Sequence, residues 1–292
     1  MSELVPEFDW QRVVVAPWTT DFSVFGWIML MGFLATAACG LVGNYLLLRR
    51  LALMGDAVSH SVLPGLVIAF LLTDSRGTGP MFLGALAAGV LSTVIIEMIH
   101  TRSRIKQDAA MGVAFTTLFA LGVVLTSLFA DRIDLDVDCV LFGEISYVPF
   151  DPMVTVAEQT LGPVAVVRMG AVLLGVAALI VVFYKELLVS SFDPGLARNL
   201  GLNPSLAHFG LMAVLSVVVV SAFESVGAIL VIAMLILPGA TASLLVRRLS
   251  QVHGLSLVHA ALSAVAGLHL GVWLECSIAA AMVAAWQTVL PG

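Results

Sequence analysis

Long apolar runs recur along the chain, separated by short polar stretches. A helix that crosses the hydrocarbon of a bilayer needs roughly 20 mostly apolar residues. Runs of about that kind fall at 22–48, 52–73, 80–98, 109–130, 167–184, 205–223, 225–246, 254–274 and 276–290. The fifth and ninth are short, and only Glu224 separates the sixth from the seventh. The pattern therefore predicts an all-α polytopic membrane protein with eight or nine transmembrane helices. Residues 131–166 are too polar and too broken by proline for a simple span, and are expected to form an external loop that dips back into the protein. This divides the chain into a lead-in, 1–21, and a transmembrane domain, 22–292. The lead-in carries Glu3, Glu7 and Asp9 where a signal peptide would be positive, so a short amphipathic extracytoplasmic segment is expected there.

Composition agrees with the membrane reading. The chain is 60% hydrophobic and 11% charged, with a mean hydropathy of +1.08, whereas about a quarter of a soluble protein is charged. A net charge of −6 and the lack of any basic run exclude the electrostatic footprint of a nucleic-acid partner. Cys39, Cys139 and Cys276 are far apart and form no CxxC pair, so neither a disulfide framework nor a zinc knuckle is indicated.

Positive charge sets sidedness. With the N-terminus outside, Arg49, Arg50, Arg102, Arg104, Lys106, Lys185, Arg198, Arg247 and Arg248 fall inside. Arg12, Arg76, Arg132 and Arg168 fall outside, a clear bias that fixes the N-terminus as external and, with nine spans, the C-terminus as internal. No GxxxxGK[ST] phosphate loop is present, nor a soluble stretch long enough for a nucleotide-binding domain. The chain is thus expected to do no covalent chemistry, and ATP-driven transport would need a separate ATPase.

Two residues interrupt the second run. Asp56 and His60 in LALMGDAVSHSVLPGLVIAF stand four apart, on one face of a helix. An ionisable residue within a span costs on the order of 3 kcal/mol at the helix centre, which makes it a functional candidate by default. A carboxylate and an imidazole presented together suit a divalent transition metal. Pro64 and Gly65 are expected to break the helix beside them, as happens where backbone lines a cavity. From these residues alone a mutual hydrogen bond or a helix cap accounts for the pair equally well. Glu224 is the best third donor, with a plain hairpin tip as its other reading. His208, His259 and His269 are read as packed or interfacial, and His100 and His253 as inner-face residues.

The external loop places Asp131, Asp134, Asp136, Asp138 and Glu144 together. They make either an acidic vestibule that attracts cations or an ordinary solvated loop, and their spacing is not that of an EF-hand. On the inner side, Asp193–Pro194 can start a helix and Gly201 can end it. The two-turn helix so defined, PGLARNL, is either a docking element for a cytoplasmic partner or a connector.

Four stretches in this order, RRLALMGDAVSHSVLPG, LDVDCVLFGEI, FDPGLARNLGL and ESVGAILVIAMLILPGATASLL, resemble the membrane permease of the ABC importers for manganese, zinc and iron. The Gly-Asp-x-x-Ser-His-x-x-x-x-Gly arrangement is the most specific, and the resemblance runs from about Phe25 to the last span. It implies a dimer with a second permease copy or paralogue, cytoplasmic ABC ATPase subunits, and an extracytoplasmic metal-binding protein. It also implies a bacterial cytoplasmic membrane and no permanently bound cofactor, the manganese, iron or zinc ion being cargo. By position, Asp56 and His60 match the metal path, and Asp193, Ala197 and Gly201 match the ATPase-coupling segment. A histidine-rich loop of the kind seen in some zinc-specific members is absent, which tilts the expectation toward manganese or iron. The competing reading is a gradient-driven secondary metal or proton-coupled transporter, in which Asp56, His60 and Glu224 would relay protons; a docking helix would have no purpose there.

Overall fold

The computed structural model describes residues 6–74, 78–129, 145–156 and 159–287. In chain order the helices are α1 (Phe22–Leu48), α2 (Met54–His60), α3 (Val62–Thr73), α4 (Thr78–Arg102), α5 (Gln107–Leu128) and α6 (Val164–Val182). They continue as α7 (Tyr184–Phe192), α8 (Pro194–Asn199), α9 (Pro204–Val226), α10 (Ala228–Leu245), α11 (Leu249–Leu274) and α12 (Ile278–Gln287). Among the described residues seven segments are long and apolar enough to cross a membrane: α1, α2 with α3, α4, α5, α6, α9 and α11. The run expected at 225–246 is the helix α10, whose described apolar part, Leu230–Leu245, is shorter, and the run at 276–290 is α12.

The centre of the molecule is α1, which packs along α10, α11 and α6. Lipid tails are as apolar as leucine, so membrane helices associate chiefly by close packing of small residues. At Gly43 an added Cβ would overlap the carbonyl oxygen of Leu235, so the backbones of α1 and α10 touch. Gly65 and Gly84 play the same part between α3 and α4, each lying against the other's carbonyl. Tyr45, Met31, Leu215, Leu235 and Leu268 fill the core between these helices.

The second apolar run is not one helix. Pro64 has no N–H, and its ring crowds the carbonyl of the residue four before it, His60. The ladder accordingly breaks at Ser61, one turn before the Pro64–Gly65 pair, and separates α2 from α3. The Ser61 hydroxyl returns to the Ala57 carbonyl (2.5 Å) and pairs with the Ser92 hydroxyl of α4 (2.8 Å), which ties the break to its neighbour.

The stretch expected as a loop that dips inward does so where it is described. Ile145 and Val148, in a short helical turn over Ile145–Phe150, are buried against α1. A hairpin follows, β1 (Met153–Val156) antiparallel to β2 (Gln159–Pro163), with Met153 opposite Pro163. Residues Asp134, Asp136 and Asp138 lie outside the described residues. The lead-in forms two short turns, Gln11–Val15 and Ala16–Trp18, that clasp the end of α11. Arg12 pairs with Glu275 (2.7 Å), the His269 ring N–H donates to the Val13 carbonyl (2.7 Å), and the Trp18 indole donates to the other His269 nitrogen (3.2 Å).

Candidate functional site

Asp56 and His60 occupy α2, a helix of seven residues bounded by a turn at Leu51–Leu53 and the break at Ser61. Their i, i+4 spacing brings Asp56 Oδ1 to 3.1 Å from His60 Nε2. The side chains are 29% and 26% exposed, on the rim of the fold rather than within it. Over the imidazole lie two rings of α5: Phe115, with centroids 5.9 Å apart, and Phe119, edge-on at 5.8 Å. His60 Nδ1 makes no hydrogen bond among the described residues, and one Asp56 oxygen is likewise uncommitted. The pair therefore has a carboxylate and an imidazole nitrogen to offer, with apolar rings to exclude water.

The described residues supply no third ligand: among them no group of three His, Cys, Asp or Glu side chains could hold a metal ion. Glu224 is not brought to the pair. It sits near the end of α9, ion-paired with Arg168 of α6, whose guanidinium also lies 5.2 Å over the ring of Phe82. Beside them, burial raises the carboxyl pKa of Asp151 above the ordinary carboxylate range, against the pull of Arg168.

The segment from Asp193 to Gly201 is built as its sequence predicts, and each position has a separate task. Asp193 N-caps α8, its Oδ1 accepting from the backbone N–H groups of Gly195 (2.9 Å) and Leu196 (3.0 Å), with Pro194 in the first turn. At the other end the Leu202 N–H reaches the Ala197 carbonyl and the Gly201 N–H reaches that of Arg198, both at 3.0 Å. This double closure needs a left-handed residue after the helix, and Gly201 takes it at φ +80°. Ala197 is fully buried, whereas Leu196 and Leu200 are 48% and 61% exposed, so the segment presents two leucines outward, beside the exposed Arg198 and Asn199, from a mount capped at both ends. Asn203 then caps α9 in the same manner, accepting from Ser205 and Leu206.

A second acid–imidazole pair lies at this same end of the helices, and sequence reasoning did not single it out. His208 of α9 stands 3.2 Å from Glu97 Oε2 of α4 through Nε2, while its Nδ1 accepts from Arg49 Nη1 (3.3 Å). Arg49 Nε in turn donates to the Ser191 hydroxyl of α7 (3.0 Å). The signal was present in part: Glu97 is an acid inside an apolar run, as Asp56 is. Of the other histidines, His253 meets Asn44 (2.9 Å), which also bonds Ser256 (3.2 Å), and His100 donates to the Ile105 carbonyl (3.2 Å). His259 is buried in α11.

Comparison with known proteins gives this arrangement a setting. Residues 21–290 match the ABC 3 transport family. The chain is 44% identical to the manganese transport system membrane protein MntD of Bacillus subtilis, over 90% of this chain and 88% of that protein. It is 42% identical to the zinc transport system membrane protein TroD of Treponema pallidum, over 87% of this chain and 69% of that protein. Its fold superposes on a chain of PsaBC from Streptococcus pneumoniae, solved in complex with Fab, with a TM-score of 0.76 and 31% identity, covering 94% and 92% of the two chains. With a match across nearly its whole length and relatives at this identity, the chain belongs to the ABC 3 transport family.

Proposed function

We propose that the chain is the permease of an ABC importer that carries a divalent transition metal, manganese, iron or zinc, into the cytoplasm of a bacterium. The observation that carries this reading is the Asp56–His60 pair: two hard-to-borderline donors with uncommitted lone pairs, on a short broken helix at the rim of the fold. One copy offers two ligands, too few for a tetrahedral or octahedral ion. A second permease copy, or a paralogue, facing the first across that rim would bring a matching pair and complete a four-ligand stepping point. Ligation must stay weak enough for the ion to leave; a rim site that is assembled and taken apart as two copies move meets that need.

Asp193, Ala197 and Gly201 mount the coupling segment on which a cytoplasmic ABC ATPase docks through Leu196 and Leu200. Nucleotide-driven movement there switches access to the metal from one side of the membrane to the other. The positive-inside bias puts α8 in the cytoplasm and residues 1–21 outside, where an extracytoplasmic metal-binding protein delivers the ion. The acidic residues Asp134, Asp136 and Asp138 serve as its electrostatic entrance. In this reading α10, alone or together with α12, adds to the seven longer segments to make eight or nine crossings. Glu224 acts through Arg168 as a brace rather than as a ligand. Relatives that carry manganese and zinc leave the three metals as alternative cargoes, and the donor set accepts each of them.

The test is uptake by the assembled complex, permease with ATPase and binding protein, in proteoliposomes supplied with manganese, iron or zinc. ATP-dependent uptake of at least one of them is expected. Full uptake by the permease alone, driven by an ion gradient, would sink the reading.

A further inference from the structure

Arg49 makes two side-chain hydrogen bonds at the basic end of the helices, and nothing in metal ligation accounts for them. Its position is fixed by the end of α1: the Leu51 N–H reaches the Leu46 carbonyl (2.8 Å), the Arg50 N–H that of Leu47 (3.1 Å), and Arg50 takes the left-handed conformation at φ +60°. That turn holds the Arg49 guanidinium between α7 and α9. Nε donates to Ser191, two residues before the cap of the coupling helix, and Nη1 donates to His208, which bridges to Glu97 of α4. Five residues earlier on α4, Ser92 bonds Ser61, the residue that follows His60. Hydrogen bonds and one helix thus connect the coupling segment to the metal pair.

The same place holds an excess of buried polar atoms. Arg49 Nη2, the hydroxyl of Tyr45 and the hydroxyl of Ser190 are buried and have no hydrogen-bond partner among the described residues. Tyr45 precedes Arg49 by four residues on the same face of α1, and Ser190 adjoins Ser191 on α7. A buried donor or acceptor left unpaired is costly, and native proteins rarely keep one without a reason. Two of them, the hydroxyls of Tyr45 and Ser190, are the second set of partners for the third, the spare Nη2 of the guanidinium.

We propose that Arg49 is a positioning residue with two partner sets, Ser191 and His208 in this conformation, Tyr45 and Ser190 in the alternate one, and that its exchange passes movement of the coupling segment to α4 and α9. Two discrete arrangements of one packed group are what a coupling element requires. The inference rests on the reading of Asp193–Gly201 as the ATPase-docking segment.

The experiment uses the assembled complex in proteoliposomes, with metal imported and ATP hydrolysed measured in parallel, ATPase docking measured by co-purification, and thermal stability measured for each variant. In Arg49→Lys the planar fork is lost while the charge is kept; ATPase docking is expected to persist while metal imported per ATP falls by roughly fivefold or more. Tyr45→Phe leaves every bond of the present network in place and removes only the spare hydroxyl, so it keeps the proposal testable should Arg49→Lys fold poorly. It is expected to lower the same ratio by about threefold at unchanged stability. A ratio within twofold of wild type in Tyr45→Phe would overturn the proposal, as would loss of ATPase docking in Arg49→Lys. Failure of the docking assignment itself reads out separately: Asp193→Ala that retains wild-type ATPase binding removes the coupling segment, whatever the Arg49 variants do.

Discussion

Two acid–imidazole pairs, Asp56–His60 and Glu97–His208, are held at nearly the same distance, 3.1 and 3.2 Å. They differ in what meets the second ring nitrogen. In His208 it accepts from Arg49, so both nitrogens are committed and the ring is a structural link between α1, α4 and α9. In His60 the second nitrogen makes no hydrogen bond among the described residues, and phenyl rings cover the imidazole instead. The first pair shares one short helix and can travel with it; the second crosses between long helices and can only break. An acid beside a histidine is therefore not a metal site by composition alone. What matters is whether lone pairs remain and whether the element carrying them can move.

The largest effect that tests this contrast is the loss of a rim ligand. Asp56→Ala and His60→Ala should each abolish metal uptake by the assembled complex while ATPase co-purification and thermal stability stay near wild type. Wild-type uptake in both would make the two pairs equivalent and structural. Next, His208→Ala should act on stability, lowering it by about 1–3 kcal/mol through the stranded Glu97 and Arg49. Its metal affinity, measured by titration, should be unchanged, and a weakened affinity would erase the distinction. Ser92→Ala removes the hydroxyl that holds the break at Ser61 and should cost about 1 kcal/mol, with uptake reduced a few-fold because α2 is less well placed. Glu224→Gln is the smallest. Glu224 is 46% exposed although Arg168 is only 18% exposed; the glutamine keeps an oxygen for the guanidinium, and ion pairs open to solvent contribute under about 1 kcal/mol, so uptake within twofold of wild type is expected. A collapse of uptake there would return Glu224 to the metal path.

Legibility in the sequence follows the range of the interaction involved. The helix from Asp193 to Gly201 could be read almost to the residue, because a cap, an N-terminal proline and a left-handed glycine are all local chemistry. The shared face of Asp56 and His60 is local too. The Pro64–Gly65 pair announces a break, but the break lies a turn earlier, at Ser61, since proline acts on the carbonyl four residues before it. The link from Arg49 to His208 joins residues 159 positions apart, and that from His208 to Glu97 spans 111. No pattern along one strand of sequence encodes such pairings. The same holds for Glu224, whose isolation in an apolar stretch marked it as notable but gave no hint of Arg168 on another helix. Residues Asp134, Asp136 and Asp138 keep only their sequence reading.

The contact of Gly43 with Leu235 bears on the thickness of the surrounding bilayer. With 27 residues, α1 rises about 40 Å, whereas α10, with 18 residues, rises about 27 Å. Glycine contact near the basic end holds the two backbones in register there, so the shortfall in length is gathered at the opposite leaflet. Protein rather than lipid fills that gap, because Ser225, Val226 and Gly227 at the outer end of α10 are buried, as are Val231 and Leu235. The short helix should accordingly impose no mismatch on the bilayer, and turnover in reconstituted vesicles should hold steady as the acyl chains are lengthened.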